Sequence, residues 1–276
     1  MKRRADAFSI SVLVFMLFFS LDFGFFGPFS EIISLLSPFA AAAVAFVLVN
    51  INGEERIGVS EIFRPFRLGR EGALITLLLS APAIMLILTV SYLTSLLLTS
   101  LGAADIPIPN EPIALMLLNR ALIPSLCEEV LFRLVPLVII APHSHRLAVV
   151  LSALLFAFAH CNFFQIPFAL LAGLLFIMLD VAFDSILPSL ILHFMNNAVS
   201  VIWLKIGLEP TSAIIFFVVL GALSALSLVL IFLNRRRISE LARYSLMRGE
   251  RAGREYIFAP LIVIAVAAVT AVMNII

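Results

Sequence analysis

The chain has 276 residues, 63% of them hydrophobic and 13% charged, with a mean hydropathy of +1.17. Soluble domains carry about 45–50% apolar and about 25% charged residues, so a water-soluble fold is excluded and lipid is the solvent for most of the chain. The formal net charge of +1 gives no electrostatic footprint for nucleic acid, and the two cysteines, Cys127 and Cys161, lie in apolar stretches where neither a secreted disulfide framework nor a zinc finger fits.

Taken in chain order, Lys2-Arg3-Arg4 precedes an apolar run from Phe8 to Phe26. The run is longer than a signal-peptide core and no small-residue cleavage pattern follows it, so it reads as a retained first span. Further apolar stretches near 31–51, 73–99, 113–141, 146–162, 164–183, 186–204, 213–233 and 257–276 are each of roughly membrane-crossing length. The pair between 146 and 183 is short and closely joined, which suggests a bent or shallow hairpin. Backbone groups in lipid must be satisfied within the segment, and β-barrel alternation is absent. The expectation is therefore an all-α, polytopic integral membrane bundle of eight to nine transmembrane helices.

Breaks fall at Gly27-Pro28, Pro107, Pro109 and Pro112, and no internal repeat is evident. The sequence divides into an N-terminal part, 1–111, with three spans; a central membrane core, 112–204; and a C-terminal part, 205–276, with an arginine-rich connecting segment. Counting from a cytoplasmic N-terminus, the basic residues at 2–4, 56–70, Arg146 and 235–254 share one side, while the loops 99–112 and 205–212 carry only Lys205. This is a positive-inside pattern, with the arginines meeting anionic membrane lipids.

Ionisable residues inside spans are costly and by default mark function. In Cys127-Glu128-Glu129-Val130-Leu131-Phe132-Arg133, Glu129 and Arg133 are one helical turn apart and face each other, while Glu128 points about 100° away. Pairing Glu129 with Arg133 would leave Glu128 available for chemistry. Phe156 and His160 share a face, as do His193 and Asn197, with Asn196 expected to point elsewhere. Each group alone also fits a plainer role, an ion pair or interhelical glue. Together they supply what amide hydrolysis needs: a base for water, a group to hold that water, and donors for an oxyanion. No serine or cysteine has a histidine partner by spacing, and both cysteines read as packing. Asp22 and the pair Asp180/Asp184 fall near span ends.

These segments, EEVLFR at 128–133, FAFAH at 156–160 and HFMNN at 193–197, match in order the motifs EExxxR, FxxxH and HxxxN. The chain thereby resembles the CPBP family, which includes CAAX prenyl proteases and bacteriocin-processing proteins, over roughly residues 112–204. The resemblance implies a glutamate-dependent intramembrane endopeptidase acting by direct water attack. Glu128 would activate the water, His160 would hold it, and His193 and Asn197 would form the oxyanion site. Glu129 and Arg133 would be a supporting pair, with Phe156 beside them. The implied substrate is a membrane-associated peptide or a prenylated protein C-terminus, and no cofactor is expected. HExxH is absent, although a zinc held by Glu128, His160 and His193 is the alternative.

Two features work against this reading. The span map places His160 near the outer end of its helix and His193 about one-third along an outward-running one; a kinked short pair at 146–183 would reconcile them. Buried Glu, Arg and His also build transporters or proton paths, and a non-catalytic scaffold would keep the same helical core.

Overall fold

The structure, a computed structural model, describes residues 2–21, 30–52, 56–102, 111–206, 210–247 and 258–273. Asp22 and the breaks at Gly27-Pro28, Pro107 and Pro109 lie outside the described residues. In order, the elements are α1 (Lys2–Leu21), α2 (Ser30–Asn52), the short α3 (Val59–Phe63), α4 (Arg70–Ser100), α5 (residues 113–139), α6 (His145–Ala159), α7 (Ile166–Phe183), α8 (Leu187–Ile206), α9 (Pro210–Leu233), α10 (Arg235–Met247) and α11 (Phe258–Met273). The all-helical expectation is met, with no strand among the described residues.

Among the described residues four helices, Arg70–Ser100, Ile166–Phe183, Leu187–Lys205 and Thr211–Leu233, are long and apolar enough to cross a membrane unaided, and Leu36–Ile51, His145–Ala159 and Ala259–Val272 are shorter apolar helices. Broken helical geometry keeps residues 113–139 from counting as one such helix. In α5 the α-helical pieces Ile113–Met116, Ile123–Glu129 and Val135–Ile139 alternate with π-helical pieces Leu117–Leu122 and Val130–Leu134.

Proline accounts for both π turns. Pro124 and Pro136 have no N–H to give the carbonyls of Arg120 and Phe132 four residues back, and their rings crowd those carbonyls. The helix widens at each point instead of ending. In lipid the released carbonyl needs another donor, and the Ser152 hydroxyl of α6 donates to Phe132 O.

The connecting segment after α9 requires a correction. Residues 235–247 form a helix, because Ile238, Leu241, Ala242 and Ser245 recur at helical spacing and face the bundle while Arg235, Arg236 and Arg243 stay exposed. Ser245 Oγ donates to Met178 O at 2.7 Å, and the Tyr244 ring packs on His145 at 5.0 Å. Exposed Arg237 forms a two-pronged pair with Glu71 at 2.6 and 3.1 Å, which holds its guanidinium further above its ordinary pKa.

One end of the bundle collects the tertiary polar contacts. Arg64 pairs with Asp184 at 3.0 Å, Ile186 N donates to Pro65 O at 3.0 Å, and Arg4 donates to Ile139 O at 3.2 Å. The arginine-rich segments thus share an end, as the charge pattern requires. At that end Asp184 adopts a left-handed φ of 49° in the turn between α7 and α8.

The main core is built from α1, α2, α5, α6, α7 and α11. Its tightest crossing is between α6 and α7. A Cβ placed on Gly173 would lie 3.1 Å from Ala153 Cα and 3.3 Å from Phe156 Cδ1, so the missing side chain lets the two backbones meet. Gly173→Val is expected to lower unfolding stability in detergent by about 1–3 kcal/mol through overpacking. Gly221→Ala on α9, where nothing lies within 4 Å, is the control expected to change it little. Thermal unfolding of the two purified variants checks the pair.

Candidate active site

The two glutamates end the α-helical piece Ile123–Glu129, and the π turn Val130–Leu134 follows directly. Glu129 and Arg133 are both 0% exposed, with Glu129 Oε2 3.3 Å from Arg133 Nε. Glu129 Oε1 lies 2.7 Å from His193 Nδ1. A carboxylate accepts, so His193 Nδ1–H donates. The Arg133 guanidinium sits over the Phe156 ring at 4.4 Å and within 5.8 Å of the Phe176 centroid, where the negative ring faces favour a cation. Glu129 thus links α5 to α8, and Arg133 links α5 to α6 and α7.

Glu128 points the other way, as the 100° step requires. Its side chain is 25% exposed, and its Oε2 stands 3.9 Å from His193 Nε2. That is too long for a direct hydrogen bond, and the two atoms are close enough for one water, set to the side of the line joining them, to bond both.

The chain delivers His160 by ending α6 early. Fifteen residues of helix reach about 22 Å at 1.5 Å each, short of the roughly 30 Å hydrocarbon core. Cys161 then turns the chain with a φ of 48°, and Phe164 N donates to Asn162 Oδ1 at 2.9 Å. The α6 helix is therefore short, and His160 at its end lines the internal cavity. The Phe156 ring stands between the two histidine rings, 4.9 Å from His160 and 5.8 Å from His193. His160 Nδ1 donates to Phe156 O at 2.8 Å, which leaves Nε2 as the acceptor.

On α8, His193 and Asn197 share a face as expected, but Asn196 does not point away. It is 7% exposed, lines the same cavity, and its Nδ2 donates to Asn197 Oδ1 at 3.3 Å. The cavity wraps around more than one face of α8, which one-face spacing could not reveal. The bond turns the Asn197 Nδ2 away from Asn196.

Glu128, Phe156, His160, His193 and Asn197 all line one cavity of about 330 Å³ between α5, α6, α7 and α8, together with Arg120, Gln165, Asn196 and Ser200. Glu129 and Arg133 sit behind its wall. Arg133 Nε, Nη1 and Nη2, Glu129 Oε2, Asp180 Oδ2, Asn196 Oδ1 and Glu128 Oε2 are buried without a hydrogen-bond partner among the described residues, the Arg133–Glu129 contact being an ion pair. Buried polar atoms are nearly always paired, and such a concentration inside an apolar bundle marks a functional centre. Among the described residues no three His, Cys, Asp or Glu side chains cluster closely enough to hold a metal ion.

Asp180 is more than a span-end residue. It is 0% exposed, and its Oδ1 accepts from Ser189 N at 3.0 Å in the first turn of α8. That contact fixes the rotation of the helix carrying His193 and Asn197. Arg120 was equally unmarked by motif, although an arginine within an apolar span is itself a signal.

The site sets a carboxylate, two histidines and an amide around one internal cavity of an all-helical bundle. Residues 110–199 match the family model for type II CAAX prenyl endopeptidase Rce1-like proteins. The match supports a CPBP-family, CAAX protease reading of this part of the chain. The matched residues take in α5 to α7, the first two-thirds of α8 and every motif residue named above. No curated protein and no solved structure matches the chain.

Removing Arg133 would leave Glu129 buried without its cation. Arg133→Ala is expected to cost about 3–5 kcal/mol of stability. Arg64→Ala, which removes a half-exposed pair, should cost under about 1 kcal/mol. Unfolding of both variants in the same detergent compares them.

Proposed function

We propose that this protein is an intramembrane endopeptidase that hydrolyses a peptide bond of a membrane-associated substrate, of the prenylated CAAX type, by direct attack of water. The observation that carries the reading is the meeting of Glu128, His160, His193 and Asn197, from three separate helices, on one cavity. The matched family is one of prenyl endopeptidases, and the phenylalanines lining the cavity suit a lipid-linked peptide.

In this reading Glu128 takes a proton from a water placed between its Oε2 and His193 Nε2, while His160 Nε2 accepts the water's second hydrogen. The hydroxide adds to the scissile carbonyl carbon, and the carbonyl oxygen becomes an oxyanion. Asn197 Nδ2 is the neutral donor for that oxyanion. His193 has committed its Nδ1–H to Glu129, so its Nε2 donates only as the imidazolium. The carbon–nitrogen bond then breaks and the proton on Glu128 passes to the leaving amine. Water adds across the amide, with no acyl-enzyme and no cofactor consumed. The protein would sit in the membrane through eight or nine crossings with its N-terminus in the cytoplasm.

Cleavage of a quenched CAAX-type peptide by the purified protein tests this. Glu128→Gln should lower kcat by at least about 10²-fold, within the usual contribution of a general base, without changing unfolding. Asn197→Ala should lower kcat by about 10²-fold with little change in KM. Chelators should leave the rate unchanged. Wild-type rates in Glu128→Gln would overturn the base assignment, and loss of activity in chelator restored by zinc would instead place a metal at Glu128, His160 and His193.

A further inference from the structure

A second cavity, of about 290 Å³, lies between α4, α7, α9 and α10 and shares no lining residue with the first. Its walls are apolar. Ser245, the one polar side chain among the described lining residues, has already given its hydroxyl to Met178 O at 2.7 Å. Ala83, Ala182 and Ala242 line the space from α4, α7 and α10, and their short side chains leave it open. A slot with no donor or acceptor to offer suits hydrocarbon and penalises a polar occupant.

Towards the arginine-rich end the slot is continuous with a cavity of about 460 Å³, since Ile75 and Ile238 line both. That mouth is polar, with Arg70, Glu71, Asn234 and Arg237 in its lining. Glu71 accepts two hydrogen bonds from Arg237, at 2.6 and 3.1 Å, and Glu240 approaches the same guanidinium at 3.6 Å. Arg70 is exposed and has no ion-pair partner among the described residues. Arg235 and Arg236 stand exposed next to Arg237 at the start of α10. The mouth therefore offers an unpaired cation and no uncommitted carboxylate.

The depth of the slot matches one leaflet of a bilayer. From Ile75 to Leu86 it follows α4 for about 16 Å of helix, and half of the hydrocarbon core is about 15 Å. Arg70 stands about 7 Å further out along the same helix, within a headgroup layer roughly 5–8 Å thick. Basic pockets between membrane helices bind anionic headgroups in this way.

We propose that this slot binds an anionic phospholipid, with one acyl chain between α4, α7, α9 and α10 and the headgroup phosphate on Arg70. The guanidinium fork suits phosphate oxygens. A choline headgroup brings its own cation towards Arg235, Arg236 and Arg237, so the site discriminates by charge. The bound chain touches Leu175 and Leu179 of α7, Leu192 of α8 and Leu241 of α10, and so fastens the amphipathic helix α10 to the bundle. The site stands apart from the peptidase reading, and its test needs no peptide substrate.

The purified full chain in detergent is titrated with phosphatidylglycerol or phosphatidylcholine of identical acyl chains, and thermal unfolding is followed. A ligand bound by the folded state alone raises the midpoint. Phosphatidylglycerol should reach half its maximal shift at about fivefold lower concentration than phosphatidylcholine. Arg70→Gln, at an exposed position, should remove that preference and leave the lipid-free midpoint unchanged. Ala182→Phe, which fills the slot, should abolish the shift by either lipid. Inorganic phosphate alone should give no shift. Native mass spectrometry should find one phosphatidylglycerol retained per chain. Equal responses to the two lipids in the wild type, a wild-type response in either variant, a full shift from inorganic phosphate, or a lipid-free dimer as the retained species would each overturn the assignment.

Discussion

A carboxylate removed from water costs several kcal/mol unless its charge and lone pairs are met. Glu129, at 0% exposure inside an apolar bundle, has its charge met by Arg133 at 3.3 Å and its Oε1 hydrogen-bonded by His193 Nδ1 at 2.7 Å. The contact determines more than local stability. It fixes the His193 ring, commits Nδ1, and aims Nε2 towards Glu128. It also joins α5 to α8, while the same arginine on Phe156 and Phe176 draws in α6 and α7. One buried cluster therefore ties together the four helices that carry the site, and Glu128, its neighbour in sequence, is left at the surface of the cavity.

The backbone contributes as much as the charges. Pro124 and Pro136 each withhold a donor, and α5 absorbs both defects as π turns instead of kinking apart. The second begins directly after Glu129, so the functional pair stands at the edge of a widened turn whose freed carbonyl is closed by Ser152. Early termination of α6 at His160, Asp180 on the first turn of α8, and close approach at Gly173 are further backbone devices serving the same centre. Natural sequences depart from regular helix chiefly where function asks for it.

Much of this was legible in the sequence because the signals are local. Apolar runs specify helices in lipid, and one-turn spacing pairs Glu129 with Arg133 and aligns His193 with Asn197. What spacing cannot convey is which faces of different helices meet. Asn196 looked misdirected because a single helix has one stated face, whereas the cavity wraps around α8. Asp180 looked peripheral because distance from a span end does not measure burial once the α7–α8 turn folds inward. Residues 235–247 looked like a linker because their arginines mask the period of Ile238, Leu241, Ala242 and Ser245. The shortness of the 146–183 pair pointed to a bent hairpin, but spacing alone could not place His160 on the cavity, which follows from α6 ending after fifteen residues.

The central claim is that Glu129 and His193 act as one unit across two helices. A double-mutant cycle on unfolding free energy, with Glu129→Gln, His193→Gln and the pair, measures it most directly. The account predicts a coupling of about 1–3 kcal/mol, as residues in one buried polar network show. Additive effects within about 0.3–0.5 kcal/mol, the behaviour of independent sites, would contradict it.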